Sequence, residues 1–203
     1  MPASLREWDE KHRAQAQEGP AEAASFVREL LPLLPEGPTL DLACGTGRHT
    51  LLLASQRRAV TAVDGSGVAL EILERRAREA DYLVRRANSE RQAGVARQGI
   101  LLVQADLEEA RLPVGEFSLI LCVQYLQRSL FAQMERALAP GGMLLFETYT
   151  RAQLEFACGP RNPQYLLEPG ELREAFPALR VLFYRELRAG RGIASLLGEK
   201  PAP

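Results

Sequence analysis

Apolar positions along the chain fall into two patterns that alternate. Short, almost wholly apolar runs at Thr39 to Cys44, Ala59 to Asp64, Ile100 to Ala105, Phe117 to Val123 and Met143 to Thr148 predict strands buried on both faces. Between them, apolar residues recur at steps of three or four. Pro20 starts one such stretch, with Phe26, Val27, Leu30 and Leu31 on one side, and it stops at Pro32 to Pro35. A second runs from Ser66 to Gln98 through Ala69, Leu73, Ala77, Ala80, Val84 and Ala87, and predicts one long helix. A third follows Val123 and ends at the Ala139-Pro140-Gly141-Gly142 turn, and a short one covers Pro169 to Phe176. The chain closes with Leu179 to Leu187 and Ile193 to Glu199, joined by Ala189-Gly190-Arg191-Gly192, a connection short enough to force an antiparallel hairpin. Strand and helix in alternation with a terminal hairpin predict an α/β fold, a doubly wound and mostly parallel sheet of seven strands.

With 203 residues, 46% hydrophobic and 25% charged, one domain is the simplest division. It divides into an N-terminal arm and cap helix (1–35), a ligand-binding core (36–150) and a substrate loop with the C-terminal hairpin (151–203). Ala152 to Glu168 has little periodicity and carries Gly159, Pro160 and Pro163, the look of a loop over a functional edge. The formal charge of -1 gives no bulk attraction to nucleic acid or to anionic membrane. The Arg-rich stretch from Ser66 to Gln98 balances seven arginines against five acids and reads as a solvated face. Cys44, Cys122 and Cys158 are odd in number and widely spaced, which suits neither a disulfide framework nor a paired zinc site, and makes a reducing cytoplasm the expected compartment. The charged start MPASLREWDEKHR lacks the apolar core of a signal peptide.

Candidate chemistry concentrates in Leu40-Asp41-Leu42-Ala43-Cys44-Gly45-Thr46-Gly47-Arg48-His49, at the junction of the first strand and the next helix. Gly45 and Gly47 permit close backbone approach, and a helix start presents unpaired N–H groups to a ligand. A dinucleotide loop needs a further glycine three residues on, where this chain has Thr50, so NAD is disfavoured. The second strand ends in Asp64, where a carboxylate accepts hydrogen bonds from ribose hydroxyls, and the third in Asp106. A ligand with a free diol, a purine amino group and a cationic centre suits this set, and S-adenosylmethionine has all three.

On these residues the chain resembles the class I S-adenosylmethionine-dependent methyltransferases, through DLACGTGRHT, AVDGS, VQADLE and LAPGGMLLFE in order from about Leu40 to Glu147. Within them it is most similar to the small tellurite-resistance-type enzymes, through Glu7-Trp8-Asp9, Tyr125 to Phe131, Asn162 to Leu167 and Pro169 to Leu172. The resemblance implies a Rossmann-like fold with S-adenosylmethionine as cofactor and S-adenosylhomocysteine as product. It implies that Asp41 and the backbone from Ala43 through Gly45 to Gly47 meet the methionine moiety, Asp64 the ribose, and Gly65 the adenine edge. Asp106 and Leu107 would meet the adenine amino group and N1, with Cys122 on the sulfonium side. Tyr125, Arg128 and Glu147, after the fourth and fifth strands, are the residues expected to shape the acceptor site, and Arg151 and Arg161 could clamp an anionic substrate. No metal is expected. The expected partner is a small-molecule methyl acceptor, with a thiol or a metalloid oxyanion as candidates; membrane and nucleic acid are not expected, and the chain is a monomer or homodimer. The rival readings are a nucleotide-dependent oxidoreductase, a non-catalytic S-adenosylmethionine-binding regulatory module, and an RNA or protein methyltransferase.

Overall fold

A computed structural model describes residues 5–17, 21–87, 93–109, 111–113 and 115–202. The N-terminal arm is helical, α1 at Leu5–Gln17, followed by α2 at Ser25–Leu30 and a turn of 3-10 helix at Leu31–Leu33 where the prolines begin. Pro20, the expected start of the stretch that carries Phe26 and Val27, lies outside the described residues. Strand β1 (Thr39–Leu42), helix α3 (Arg48–Ser55), strand β2 (Val60–Asp64) and helix α4 (Gly67–Glu79) then follow. After them come β3 (Val84–Arg86), β4 (Ile100–Gln104), β5 (Phe117–Val123), α5 (Phe131–Ala137) and β6 (Leu138–Tyr149). The chain ends with α6 (Glu171–Glu174), β7 (Arg180–Arg188) and β8 (Gly192–Glu199).

The strands form one sheet in the order β3-β4-β2-β1-β5-β6-β8-β7, parallel from β3 to β6, with β8 and β7 antiparallel. Burial on both faces explains why β1 and β2 show no polar alternation: every one of their residues is buried. One face packs Leu40, Leu42, Ile120 and Phe146 against Met134 of α5 and Leu172 of α6. The other packs Leu119, Leu121 and Leu145 against Phe26 and Val27 of α2 and Leu53 of α3, and Ala62 against Leu70 and Leu73 of α4. Helices on both faces put the carboxyl ends of β1, β2, β4, β5 and β6 along one open edge.

The sheet has eight strands where seven were expected, and the difference is the stretch read as one helix from Ser66 to Gln98. The helix ends at Glu79. The Ala80 amide turns back to the Arg76 carbonyl, and Asp81 takes a left-handed φ of 59° that reverses the chain. Val84 to Arg86 then pairs in parallel with Ile100 to Leu102. The free edge of β4 offers backbone partners that a solvent-facing helix could not, and Val84, apolar at a helical step from Ala80, fills the core as a strand residue. Two of the arginines are held by one acid: Arg86 Nε lies 2.6 Å from Glu74 Oε2, and Arg78 Nη2 lies 2.7 Å from Glu74 Oε1. A smaller difference is at the Ala139-Pro140-Gly141-Gly142 turn, which lies inside β6, because Leu138 already pairs with Phe117. None of the helices among the described residues is long and apolar enough to cross a membrane.

Candidate active site

Asp41 sits within a strand that is buried on both faces, so its carboxylate must find partners locally. Its Oδ2 accepts the Thr50 hydroxyl at 2.5 Å, from the first turns of α3. Thr50, which stands where a dinucleotide loop would have glycine, thus serves the acid instead. Burial still dominates and pushes the Asp41 pKa up to about 7. Between strand and helix the chain makes a tight turn through three left-handed residues, Ala43 (φ 55°), Gly45 (φ 53°) and Gly47 (φ 86°). Gly47 has no alternative, since a Cβ there would lie 2.1 Å from Leu73 Cδ1.

Asp64 closes the other side of the loop. Its Oδ2 accepts the Gly45 amide at 2.7 Å and its Oδ1 the Ser66 amide at 2.9 Å, which fixes the carboxylate at the tip of β2. Each oxygen keeps a further lone pair for a diol. Burial raises the Asp64 pKa, opposed by these amides and by His12. The N-terminal helix rests on this edge: Asp9 accepts the Ser66 hydroxyl at 2.5 Å, and His12 Cε1 and Leu5 Cδ2 lie against Gly45 and Gly65. Trp8 stacks on His12 at 5.9 Å, with the Lys11 ammonium 4.4 Å from the Trp8 ring centre. Asp106 is exposed at the end of β4 and accepts the Glu108 amide at 3.0 Å, while the Leu107 side chain enters the core.

A second polar cluster lies at the tips of β5 and β6. Gln124 has a left-handed φ of 60° directly after β5, its amide donating to the Glu147 carbonyl at 2.7 Å and its side-chain oxygen accepting from Arg48 Nη2 at 2.8 Å. Glu147 is 1% exposed and accepts the Ser195 hydroxyl at 2.7 Å, with Arg185 Nη2 at 3.8 Å. The register across β6, β8 and β7 puts Glu147, Ser195 and Arg185 in one row.

The methyltransferase domain family matches the chain over residues 39–142, from β1 through the turn at the start of β6. The chain belongs to that family. Solved structures share its fold. TehB from Haemophilus influenzae is 18% identical with a TM-score of 0.69; 88% of this chain is covered, but only 62% of the TehB chain. The N-methyltransferase NodS from Bradyrhizobium japonicum is 18% identical, TM-score 0.64, with 87% and 92% covered. The glycopeptide N-methyltransferase MtfA, solved with S-adenosyl-L-homocysteine, is 20% identical, TM-score 0.62, with 89% and 91% covered. No curated protein sequence is similar enough to count as a relative. The loop at the start of the matched segment sets two buried carboxylates, Asp41 and Asp64, on either side of a backbone turn that Gly47 lets pack against Leu73.

The three residues expected at the acceptor site are not together. Tyr125 packs on the core face shared with Cys122 and lies in the field of Asp64 and Asp106, burial raising its pKa. Glu147 belongs to the opposite face, with Ser195. Arg128 is exposed and forks onto Glu171 at 2.5 and 2.9 Å, also donating to the Gln164 and Leu166 carbonyls, so it fastens the 152–168 loop to α6. Arg151 lies 2.5 Å from Glu168, and Arg161 donates to the Leu154 and Phe156 carbonyls. Cys122 and Cys44 are buried and their thiol pKa values are pushed up, so neither is a ready nucleophile. His49 accepts the Ala24 amide at 3.2 Å, and burial lowers its pKa to about 3, which makes it a neutral tie to the arm. Sequence reasoning missed Gln124, Ser195 and Arg185 altogether, and it gave Arg48 no role. The backbone conformation of Gln124 leaves no mark in residue type, and Ser195 and Arg185 reach Glu147 only through the pairing of the terminal hairpin.

Proposed function

We propose that the enzyme transfers the methyl group of S-adenosylmethionine to a small-molecule acceptor that approaches over the tips of β5 and β6. The observation that carries the reading is the pair of buried carboxylates, Asp41 and Asp64, on either side of the left-handed loop at Ala43, Gly45 and Gly47. Asp41 and the loop backbone hold the methionine end, Asp64 the ribose hydroxyls, and Gly65, Asp106 and Leu107 the adenine edge, with Cys122 behind the loop in the core. Bound there, the cofactor supplies a methyl group on a sulfonium, open to direct displacement by an aligned nucleophile.

The chain's own contribution is orientation and exclusion of water, and alignment of this kind is worth about 7 to 11 kcal/mol in favourable cases. Tyr125 borders the acceptor space on one face of the sheet, Glu147 braces the tip of β6 from within the core through Ser195, and Arg128 holds the 152–168 loop to α6. A thiol that binds as its thiolate, its proton already lost to solvent, or an oxyanion acceptor needs no general base, which agrees with a site whose His49 is committed to the Ala24 amide. Thiols and metalloid oxyanions are therefore the first acceptors to assay. We place the enzyme in the cytoplasm, as a monomer or homodimer.

Calorimetric titration with S-adenosylmethionine and S-adenosylhomocysteine, with NAD as control, tests the reading. Micromolar binding of the first two and none of the third is expected, and Asp64→Ala should weaken both by about 1 to 3 kcal/mol. Full affinity in that variant would remove Asp64 from the site. A radiolabelled-methyl assay over the acceptor panel then separates an enzyme from a protein that only binds its cofactor.

A further inference from the structure

The arginines around the acceptor edge divide into those with a carboxylate or carbonyl partner and two without a carboxylate. Arg128, Arg151 and Arg188 are paired with Glu171, Glu168 and Glu155. Arg185 serves Glu147, whose charge the Ser195 hydroxyl also meets. Arg48 and Arg191 are half-buried, and among the described residues neither is in an ion pair. The hydrogen bond that Arg48 makes goes to the neutral amide of Gln124 at 2.8 Å.

The backbone brings these two cations to one place. The Thr150 amide donates to the Gly192 carbonyl at 3.0 Å and Tyr149 pairs with Ile193, so the turn carrying Arg191 lies against the exit of β6. Gln124, which holds Arg48, is itself bound to the Glu147 carbonyl two residues before Tyr149. Tyr149 lies in the field of both: burial raises its pKa, and Arg191 and then Arg48 oppose the rise. Arg48 lies in the field of Asp41 and Glu147 as well as of Arg191, and Glu147 is already paired with Arg185. A half-buried guanidinium with no carboxylate in direct contact costs free energy that a bound anion recovers.

We propose that Arg48 and Arg191, flanking Tyr149 between the exit of β6 and the β7–β8 turn, form an anion site that selects acceptors bearing a carboxylate or another compact oxyanion. The proposal rests on the reading of the chain as a small-molecule methyltransferase and adds the charge class of its substrate. The planar guanidinium fork matches a carboxylate with two parallel hydrogen bonds, and the Tyr149 hydroxyl can donate a third. Arg151 and Arg161, the arginines that the sequence offered for this task, are held by Glu168 and by loop carbonyls.

The test uses the full chain saturated with S-adenosylhomocysteine and titrated calorimetrically with two thiols of equal length, 3-mercaptopropionate and 1-propanethiol. The anionic thiol should bind at least about tenfold more tightly, and Arg191→Gln should reduce that ratio below about threefold while S-adenosylhomocysteine affinity stays within about twofold. Arg75→Gln, on the exposed side of α4, should keep the ratio. Equal affinity for the two thiols, including binding of neither, overturns the proposal, as does an unchanged ratio in Arg191→Gln. Weaker S-adenosylhomocysteine binding in Arg191→Gln with the ratio preserved assigns the guanidinium to the cofactor's own carboxylate and overturns it too. Failure of the unaltered protein to bind S-adenosylhomocysteine is seen before any thiol is added, and refutes the cofactor reading itself.

Discussion

Cofactor binding should release a proton from Asp41, because the site holds a buried carboxylate that is only half ionised when the protein is empty. With its pKa near 7, Asp41 is about 91% ionised at pH 8 and about 9% at pH 6. A cationic ligand that requires the charged form then binds about tenfold more weakly at pH 6 than at pH 8, and takes up the difference by expelling about 0.9 proton at pH 6. The same shift sets the stability of the empty protein. The folded pKa lies above the unfolded value of about 3.9, so the contribution to stability is complete below pH 4 and is lost as pH rises through about 7, by up to about 4 kcal/mol. Titration with S-adenosylmethionine between pH 5.5 and 8.5, in buffers of different ionisation enthalpy, measures affinity and proton release together. Asp41→Asn should flatten the profile, and any slope that survives belongs to Asp64, which burial also raises. Constant affinity with no proton release at pH 6 in the unaltered protein would show that Asp41 is not facing the ligand's cation.

Other outcomes follow from the same geometry. Thr50→Val keeps the side-chain shape but removes the donor to Asp41, and should cost about 1.5 to 3 kcal/mol in urea denaturation at pH 8, with a smaller loss at pH 5; equal losses would mean that the acid is neutral throughout. Gly47→Ala adds a left-handed penalty and a clash with Leu73, together about 2 to 5 kcal/mol, read as a lower Tm, and an unchanged Tm would contradict the packing of α4 on the loop. A thiol reagent should label Cys158 rapidly in the native protein and Cys44 and Cys122 only after denaturation; fast labelling of a second thiol would show that the core at the tips of β1 and β5 opens.

Most of the element order and the glycine turn after β1 were legible in the sequence because both are written in local terms. Strands buried on both faces read as uninterrupted apolar runs, and a tight left-handed turn calls for glycine, as at Gly45 and Gly47. Asp64 was legible for the same reason, standing one residue past an apolar run. Val84 to Arg86 was not: its spacing suits a helix as well as a strand, and the free edge of β4 decided the matter. Nor could residue type show that Thr50 serves Asp41, that Arg128 is bound to Glu171, or that Gln124 turns left-handed to hold Arg48. Glu147 meets Ser195 and Arg185 across a register set by the terminal hairpin, from residues 48 and 38 positions apart in the chain. Local periodicity determines which segments are buried and where the backbone must bend, while the partner of a buried charge is chosen by strands that meet only after the chain has folded.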